Sequence, residues 1–568
     1  MCCHIGTGLR GALVARLATR QLDSDKRTPK SANTVPLVSL RHIVAASLAM
    51  GADSFGGSLS SHERRLIDRC SGTRVGSVEG LQKQILEGLD PLGNALCIIR
   101  PIHTRRKMGT FYTPQPIVRG MVQWALSDNP ARLVDPGCGS GRFAAEAIRN
   151  NRALRIVAVD IDPLATLVCR ANLAVLRAKN ATVVNADYTG FALARTRERT
   201  AFVSNPPYVR HHDLSRKQKA WAKAVAGRLA LPFSGLAGLH VHFLLAALLQ
   251  AQDGDIGCFI TSAEWLDINY GKLMREAFVN GMGGVSLHLI DRSSVTFEDA
   301  MSTAAISCFE IGKRATTVRL GCLASAGRVA DLHKGKLVVT SLLQNTSRWS
   351  PLFLARRRRE VDRTLVPLGS VVRVSRGIAT GANKYFVLER ARAKCLGLEP
   401  YTVSALTRAK YVLDSDGVVR DDQTYRLLLA PRRTVDPRTR EHGALRTYLN
   451  EGEDAGISNA YLCRHRTPWW FLDPKIPPIV ATYMTRQGPA FALNPDGLAI
   501  LNVLHGFFPK IALDDEQLAG LVRYLNSHRN EFRGLGRTYQ GGLEKFEPRE
   551  MEALLVPPPD KLRDYCPA

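Results

Sequence analysis

Four consecutive residues, Asn205, Pro206, Pro207 and Tyr208, bring together groups that can handle an amino nitrogen. They end the short apolar run "TAFVSN" at 200–205. Proline fixes φ and biases the residue before it towards extended geometry, so two in succession make a rigid peptide whose carbonyls no strand neighbour can claim. The Asn205 amide oxygen and the Pro206 carbonyl can then accept both hydrogens of an exocyclic amine, while Tyr208 offers a face to the attached ring. An arylamine is a poor nucleophile because its lone pair is delocalised into the ring. Two acceptors on its hydrogens favour a more tetrahedral nitrogen with the lone pair aimed at an electrophile, which is positioning and electrostatic catalysis without a strong base. A surface Asn-Pro-Pro turn is the plain structural alternative.

The setting of the four residues decides between these readings. "RLVD" ends at Asp135, "RIVAVD" at Asp160, "ATVVNAD" at Asp187 and "TAFVSN" at Asn205, and helix-like stretches such as "GRFAAEAIRNN" lie between the first runs. This is the βαβ pattern of a parallel sheet covered by helices, and the polar residues gather at the carboxyl ends of the strands, where open α/β sheets bind ligands. "VDPGCGSGRF" (134–143) reads as strand, turn and helix start, with Gly137, Gly139 and Gly141 letting the backbone turn sharply and approach a ligand. Nicotinamide and flavin enzymes share such a turn, so it does not by itself identify a cofactor. Asp160, 25 positions after Asp135 at the next strand end, suits a ribose diol, and Asp187 an adenine amino group. Helix capping is the alternative for these acids, and Asp162, before Pro163, is a better cap candidate than Asp160. The electrophile this arrangement would serve is the sulfonium methyl of S-adenosylmethionine.

Taken together, "MGTFYTPQPIVRGMV" (108–122), "DPGCGSGRF", "NPPY" and a long carboxy-terminal segment resemble the gamma-class adenine-N6 DNA methyltransferases of restriction–modification systems, of type II or IIG. The resemblance spans most of residues 85–555. It implies the class I S-adenosylmethionine-dependent methyltransferase fold, an α/β doubly wound, mostly parallel seven-stranded sheet, with a carboxy-terminal mixed α+β target recognition domain. It also implies roles residue by residue. Thr113 would help hold the methionine moiety of the cofactor, Asp135 would lie near its amino group, Asp160 would take its ribose and Asp187 its adenine. Phe297 in "SVTFEDAMSTAAI" resembles the second aromatic that packs on an extruded target base opposite Tyr208; an ordinary core phenylalanine is the alternative. In the second domain "SRGIATGANKYFVL" (375–388), "RTPWWFL" (466–472) and "RTYQGGLEKFEPREMEALLVPPP" (537–559) look like target recognition segments. Trp469 and Trp470 read as packing residues, and "RRRR" at 356–359 as a solvated linker.

These elements must sit in more than one domain, because 568 residues exceed one ordinary core. We divide the chain into a poorly patterned extension (1–84), a catalytic domain (85–345) and a target recognition domain (346–568), the last beginning where the βα rhythm stops. Within the extension, "GALVARLATRQL" imitates a transit peptide but equally suits a frayed end or an over-long start, and the first helix-like stretch is "GLQKQILEGLDPLG" (80–93). Hydrophobic residues at 45% and charged residues at 23% fit a folded soluble protein rather than a disordered one. "LHVHFLLAALLQA" (239–251) is too short for a bilayer and reads as a buried helix, so no membrane partner is expected. The twelve cysteines show no CxxC spacing, which leaves reduced thiols in a cytoplasmic protein and no metal site.

The net charge of +26 favours a polyanionic partner, although a generally basic proteome would produce the same excess. The expected function is therefore methyl transfer to adenine N6 in double-stranded DNA, with the target base flipped out and a restriction endonuclease as a separate chain. Two rivals remain: N-methylation of RNA adenine or protein glutamine, and a non-catalytic DNA-binding specificity protein on the same fold.

Overall fold

The computed structural model describes residues 37–101, 104–105, 109, 113–290, 304–323, 331–353, 364–421, 426–432, 434–539 and 543–565. The chain forms two compact units, Met1–Pro207 and Tyr208–Ala568. The division falls inside the stretch that the sequence assigned to one catalytic domain.

In the first unit, strands β1 (Arg132–Pro136), β2 (Arg155–Asp160), β3 (Ala181–Asn185) and β4 (Thr200–Ser204) pair in parallel in the order β3-β2-β1-β4. All five residues of β1 and all five of β4 are buried, the continuous burial expected of parallel strands covered on both faces. The register sets Asp135 beside Ala158 and Asp160 beside Asn185, so the strand ends lie on one edge.

The helices explain where the division falls. Beyond "GLQKQILEGLDPLG" the first 84 residues offered no clear pattern, yet α1 (Leu40–Ala49), α2 (Ser61–Arg69), α3 (Glu79–Leu86) and α4 (Pro91–Ile99) all belong to the first unit. With α6 (Arg142–Asn150) they surround α7 (Pro163–Val175), whose residues from Leu164 to Leu173 are all buried, while α5 (Gln115–Leu126) packs on α6 and β4. A buried ion pair ties one of them in: Arg170 on α7 and Glu63 on α2 are both fully buried and meet at 2.9 Å. Residues 40–69 thus form helices packed on the first unit, while "GALVARLATRQL" lies outside the described residues.

The second unit opens with α8 (Arg216–Arg228) and α9 (Leu239–Gln250), the latter the buried helix expected at 239–251. Strands β5 (Ile256–Ser262), β6 (Gly284–Ile290) and β7 (Ala304–Glu310) follow, β7 pairing antiparallel with both β5 and β6. Seven strands were expected, and two more come after them. β8 (Thr317–Leu323) pairs in parallel with β6, and β9 (Lys336–Val339) runs antiparallel to β8.

After residue 345 short strands still alternate with short helices, but the strands pair mostly antiparallel. Two four-stranded sheets follow, one built around Leu504–Pro509 and Ile479–Thr482, the other around Thr402–Leu406 and Arg426–Leu429. Trp470 is buried in the core of the second, and Trp469 packs edge-on to Phe386 while its indole N–H donates to Glu453. Both tryptophans pack, as the sequence suggested; the "RRRR" run lies outside the described residues. Among the described residues no helix is long and apolar enough to cross a membrane.

Candidate active site

The turn after β1 is shaped by its glycines. Gly137, Gly139 and Gly141 have φ of 70°, 54° and 82°, in the left-handed region that side chains disfavour. The N–H groups of Gly137 and Cys138 donate to the Val159 carbonyl at 2.8 and 3.1 Å, tying the turn to the end of β2. At Gly141 a Cβ would come within 2.6 Å of Cys169 Sγ, so this position must lack a side chain for α6 to approach α7.

Three acids were expected to surround this turn. Asp135 is completely buried, and neither carboxylate oxygen has a hydrogen-bond partner among the described residues. Burial raises its pKa from 3.8 to about 8; the dipole of the nearby Ala144 N–H, short of a formed hydrogen bond, lowers it in part, and the charge of Asp160 adds to the rise. A buried carboxylate left so exposed to desolvation suits a cationic ligand group that would stabilise its charged form. Asp160 is half-buried and accepts from the Gly139 N–H at 2.8 Å and the Asp162 N–H at 2.9 Å, with burial lifting its pKa to about 6. Each of its oxygens keeps a lone pair for a second donor.

Asp187 sits two residues beyond β3, is exposed, and caps the single turn Tyr188–Gly190 by accepting from the Thr189 N–H and hydroxyl. Its capping role, the alternative weighed for it, is therefore present, and those bonds use only one of its two oxygens. Asp162 caps α7 as the sequence suggested, accepting from the Leu164 N–H, and forms an ion pair with Arg100. Sequence reasoning passed over Ile161, between the two acids. It is 68% exposed, a large apolar side chain held at the rim beside Asp160 that offers a surface to a planar ring. An isoleucine directly after a strand-end acid was the available signal.

Asn205 directly follows β4 and is half-buried, and its Nδ2 donates to Thr113 Oγ1 at 3.1 Å, Thr113 itself being buried. With that bond the amide carbonyl oxygen lies away from Thr113. Pro206 is buried behind it and Pro207 half-buried. The first unit thus joins Thr113, Asp135, the glycine turn, Asp160 and Asn205 in one cluster of strand ends.

Tyr208 begins the second unit, where it lines a cavity of about 440 Å³ with His240, Ser262, Glu264, Tyr270 and Met484 among its walls. The volume falls within the range of small-ligand sites. The Tyr208 hydroxyl donates to the Ile260 carbonyl at 3.4 Å, and burial raises its pKa well above the ordinary phenol value. His240, another residue the sequence did not single out, lies tilted beside the Tyr208 ring at 6.4 Å, and burial lowers its pKa to about 4, so it is neutral at physiological pH. Its place in an unbroken apolar helix gave no hint of a pocket. Phe297 lies outside the described residues.

Comparison with known proteins bears on the family. Residues 101–279 match the family described as "N-6 DNA Methylase", and residues 346–565 match "Type II methyltransferase M.Eco57I, C-terminal domain". Type II methyltransferase M.XamI of Xanthomonas campestris pv. amaranthicola is 37% identical over 525 residues, covering 91% of this chain and 98% of that protein. Type II methyltransferase M.AccI of Acinetobacter calcoaceticus is 25% identical over 473 residues, covering 79% of this chain and 85% of that protein. Among solved structures, the Type IIL restriction-modification enzyme MmeI in complex with DNA superimposes with a TM-score of 0.53 over 85% of this chain and 72% of that one. At 12% identity that likeness concerns the fold alone. The strand-end cluster and the near-complete match to M.XamI lead to one conclusion: the chain belongs to the N-6 DNA methylase family, among the type II DNA methyltransferases of restriction–modification systems.

Proposed function

We propose that the chain methylates N6 of an adenine turned out of double-stranded DNA, with S-adenosylmethionine as methyl donor and with cleavage left to a separate endonuclease. The observation that carries this reading is the Asn205 amide, oriented by Thr113 at the tip of β4 within the cluster of Asp135, Asp160 and the glycine turn.

The residues present suit the cofactor. Asp135 supplies a buried acceptor for its ammonium group, Asp160 retains lone pairs for a ribose diol, and Ile161 provides an apolar face for its purine. Asp187 keeps one carboxylate oxygen for the purine amino group. When bound, S-adenosylmethionine supplies an electrophilic methyl group on a sulfonium sulfur.

The remaining chemistry belongs to the chain. Asn205 Oδ1 and the Pro206 carbonyl accept the two N6 hydrogens and hold the nitrogen lone pair on one line of approach, while the Tyr208 ring stacks on the adenine. Turning the base out of the duplex costs a few kcal/mol, which stacking and pocket contacts offset. The neutral His240 in the Tyr208 cavity avoids burying a charge next to the base.

The test is transfer of tritiated methyl groups from S-adenosylmethionine to plasmid DNA, bulk RNA and cell protein in parallel, followed by hydrolysis of the labelled DNA. Label appearing as N6-methyladenine in DNA alone is the expected result. Label in RNA or protein, or in cytosine, would overturn the reading.

A further inference from the structure

The carboxylate of Asp90 caps α4, with Oδ1 accepting from the Gly93 N–H at 2.9 Å. A cap alone would be local structure, but the same carboxylate reaches three residues far along the chain. Oδ2 accepts from Ser140 Oγ at 2.6 Å and from Arg142 Nε at 2.7 Å, and Oδ1 also accepts from Asn172 Nδ2 at 3.1 Å. Asn172 in turn donates to the Ser140 carbonyl at 2.9 Å. Arg142 extends the network by donating to the Thr113 carbonyl at 3.1 Å and to Asn94 Oδ1 at 2.7 Å.

Four donors converge on one carboxylate whose side chain is only 10% exposed, and Ser140 is fully buried. The approach is close enough that a Cβ on Gly93 would lie 2.0 Å from Asp90 Oδ2 and 2.6 Å from Ser140 Oγ. Glycine is required at position 93 for this contact rather than for its turn.

We propose that Asp90 is a positioning residue for methyl transfer, through which the amino-terminal helices hold the cofactor-binding turn in its working shape. The argument rests on the cofactor reading above. Three glycines with positive φ within five residues make a turn that is costly to order, and Ser140 lies between the last two of them. Asp90 restrains the turn at Ser140 and the start of α6 at Arg142. Through Arg142 it also restrains the backbone of Thr113, whose hydroxyl orients Asn205. One carboxylate therefore couples the order of the cofactor site to that of the catalytic amide.

Asp90→Asn separates this role from capping, because an amide oxygen still serves the Gly93 N–H while the amino end faces the Arg142 donor. Titration calorimetry of the full-length chain with S-adenosylhomocysteine reads the effect without turnover. The expected result is a Kd raised about tenfold, the scale of a lost charge-assisted hydrogen bond, with cofactor-free DNA affinity close to wild type. An unchanged Kd, or a loss of DNA affinity in step with the loss of cofactor affinity, would overturn the proposal. Should Asp90→Asn fail to fold, Ser140→Ala removes only the hydroxyl on the turn and should raise Kd about threefold, the size of a neutral hydrogen bond; a wild-type Kd there would also overturn it. Wild-type protein that binds no S-adenosylhomocysteine would overturn the cofactor reading itself, whereas an unaffected variant beside a binding wild type would sink the role of Asp90 alone.

Discussion

Asn205 Nδ2 and Thr113 Oγ1 are 3.1 Å apart although the two residues are 92 positions apart in the chain. In this arrangement the hydroxyl accepts from the amide nitrogen and the carbonyl oxygen is left for the substrate amine; with the amide reversed, a donor would meet a donor.

Thr113→Val keeps the shape of the buried side chain and removes the acceptor. We expect kcat to fall about tenfold, in line with a buried donor losing its partner, with a smaller change in the KM for S-adenosylmethionine. A role limited to holding the cofactor would show the reverse split. Asn205→Ala should abolish most turnover while leaving cofactor affinity by calorimetry nearly intact, and full activity in that variant would refute the catalytic amide.

Asp135 links cofactor binding and folding to pH. With its pKa raised by burial to about 8, the free site is largely protonated at pH 7 and must lose that proton to receive an ammonium group. Affinity for S-adenosylhomocysteine should therefore strengthen as pH rises towards about 8 and then level off, with proton release detectable as a buffer-dependent binding enthalpy. Stability runs the other way. The native state binds more protons at this site than the unfolded chain between pH 4 and 8, so its contribution falls across that window as pH rises. Asp135→Asn should remove both dependences, weaken cofactor binding, and raise the melting temperature at pH 8.

Tyr208 offers a ring and a hydroxyl whose contributions can be separated. The hydroxyl donates to the Ile260 carbonyl over a long 3.4 Å, so Tyr208→Phe should change kcat/KM for DNA far less than loss of the ring. Tyr208→Ala removes the stacking face, worth about 1–3 kcal/mol per base, and should lower kcat/KM by about 5- to 150-fold. Equal effects of the two substitutions would show that the ring does not stack on the target.

The parts of this architecture legible in the sequence are those encoded by neighbours in the chain. The runs ending at Asp135, Asp160 and Asn205 show the parallel strands through continuous apolar character, and the prolines after Asn205 show where β4 must stop. Asp162 was readable as a cap because Pro163 follows it. What escaped depends on distant partners. Asp90 looks like an ordinary cap before Pro91, and nothing local reveals that Ser140 and Arg142 share its carboxylate. Helix α2 did carry a local signal, the capping box of Ser60 and Glu63, but nothing in "SHERRLIDR" announces that its one glutamate will be buried against a distant arginine.

Helix α2 is mostly exposed, yet it buries Glu63 against Arg170. Glu63 Oε2 accepts from the Ser60 N–H at 2.7 Å while Oε1 accepts from Arg170 Nε at 2.9 Å, so one side chain both starts the helix and anchors it. Arg170 also donates to the carbonyls of Phe55, Gly57, Ser58 and Val183 at 2.6 to 3.2 Å. Breaking a buried pair from one side costs about 3–5 kcal/mol, because the remaining charge is left without its partner. The two sides are not equivalent here. Glu63→Gln keeps an acceptor for Arg170 and should cost less than this, whereas Arg170→Met strands the glutamate and four carbonyls together and should cost at least as much. Hydrogen exchange is the suitable measurement, since a chain of two compact units does not report one global unfolding free energy. Protection of amides in residues 40–69 should drop further in Arg170→Met than in Glu63→Gln, with protection in the 346–565 region unchanged in both; the opposite ranking would mean that the carboxylate, not the guanidinium, organises the amino-terminal helices.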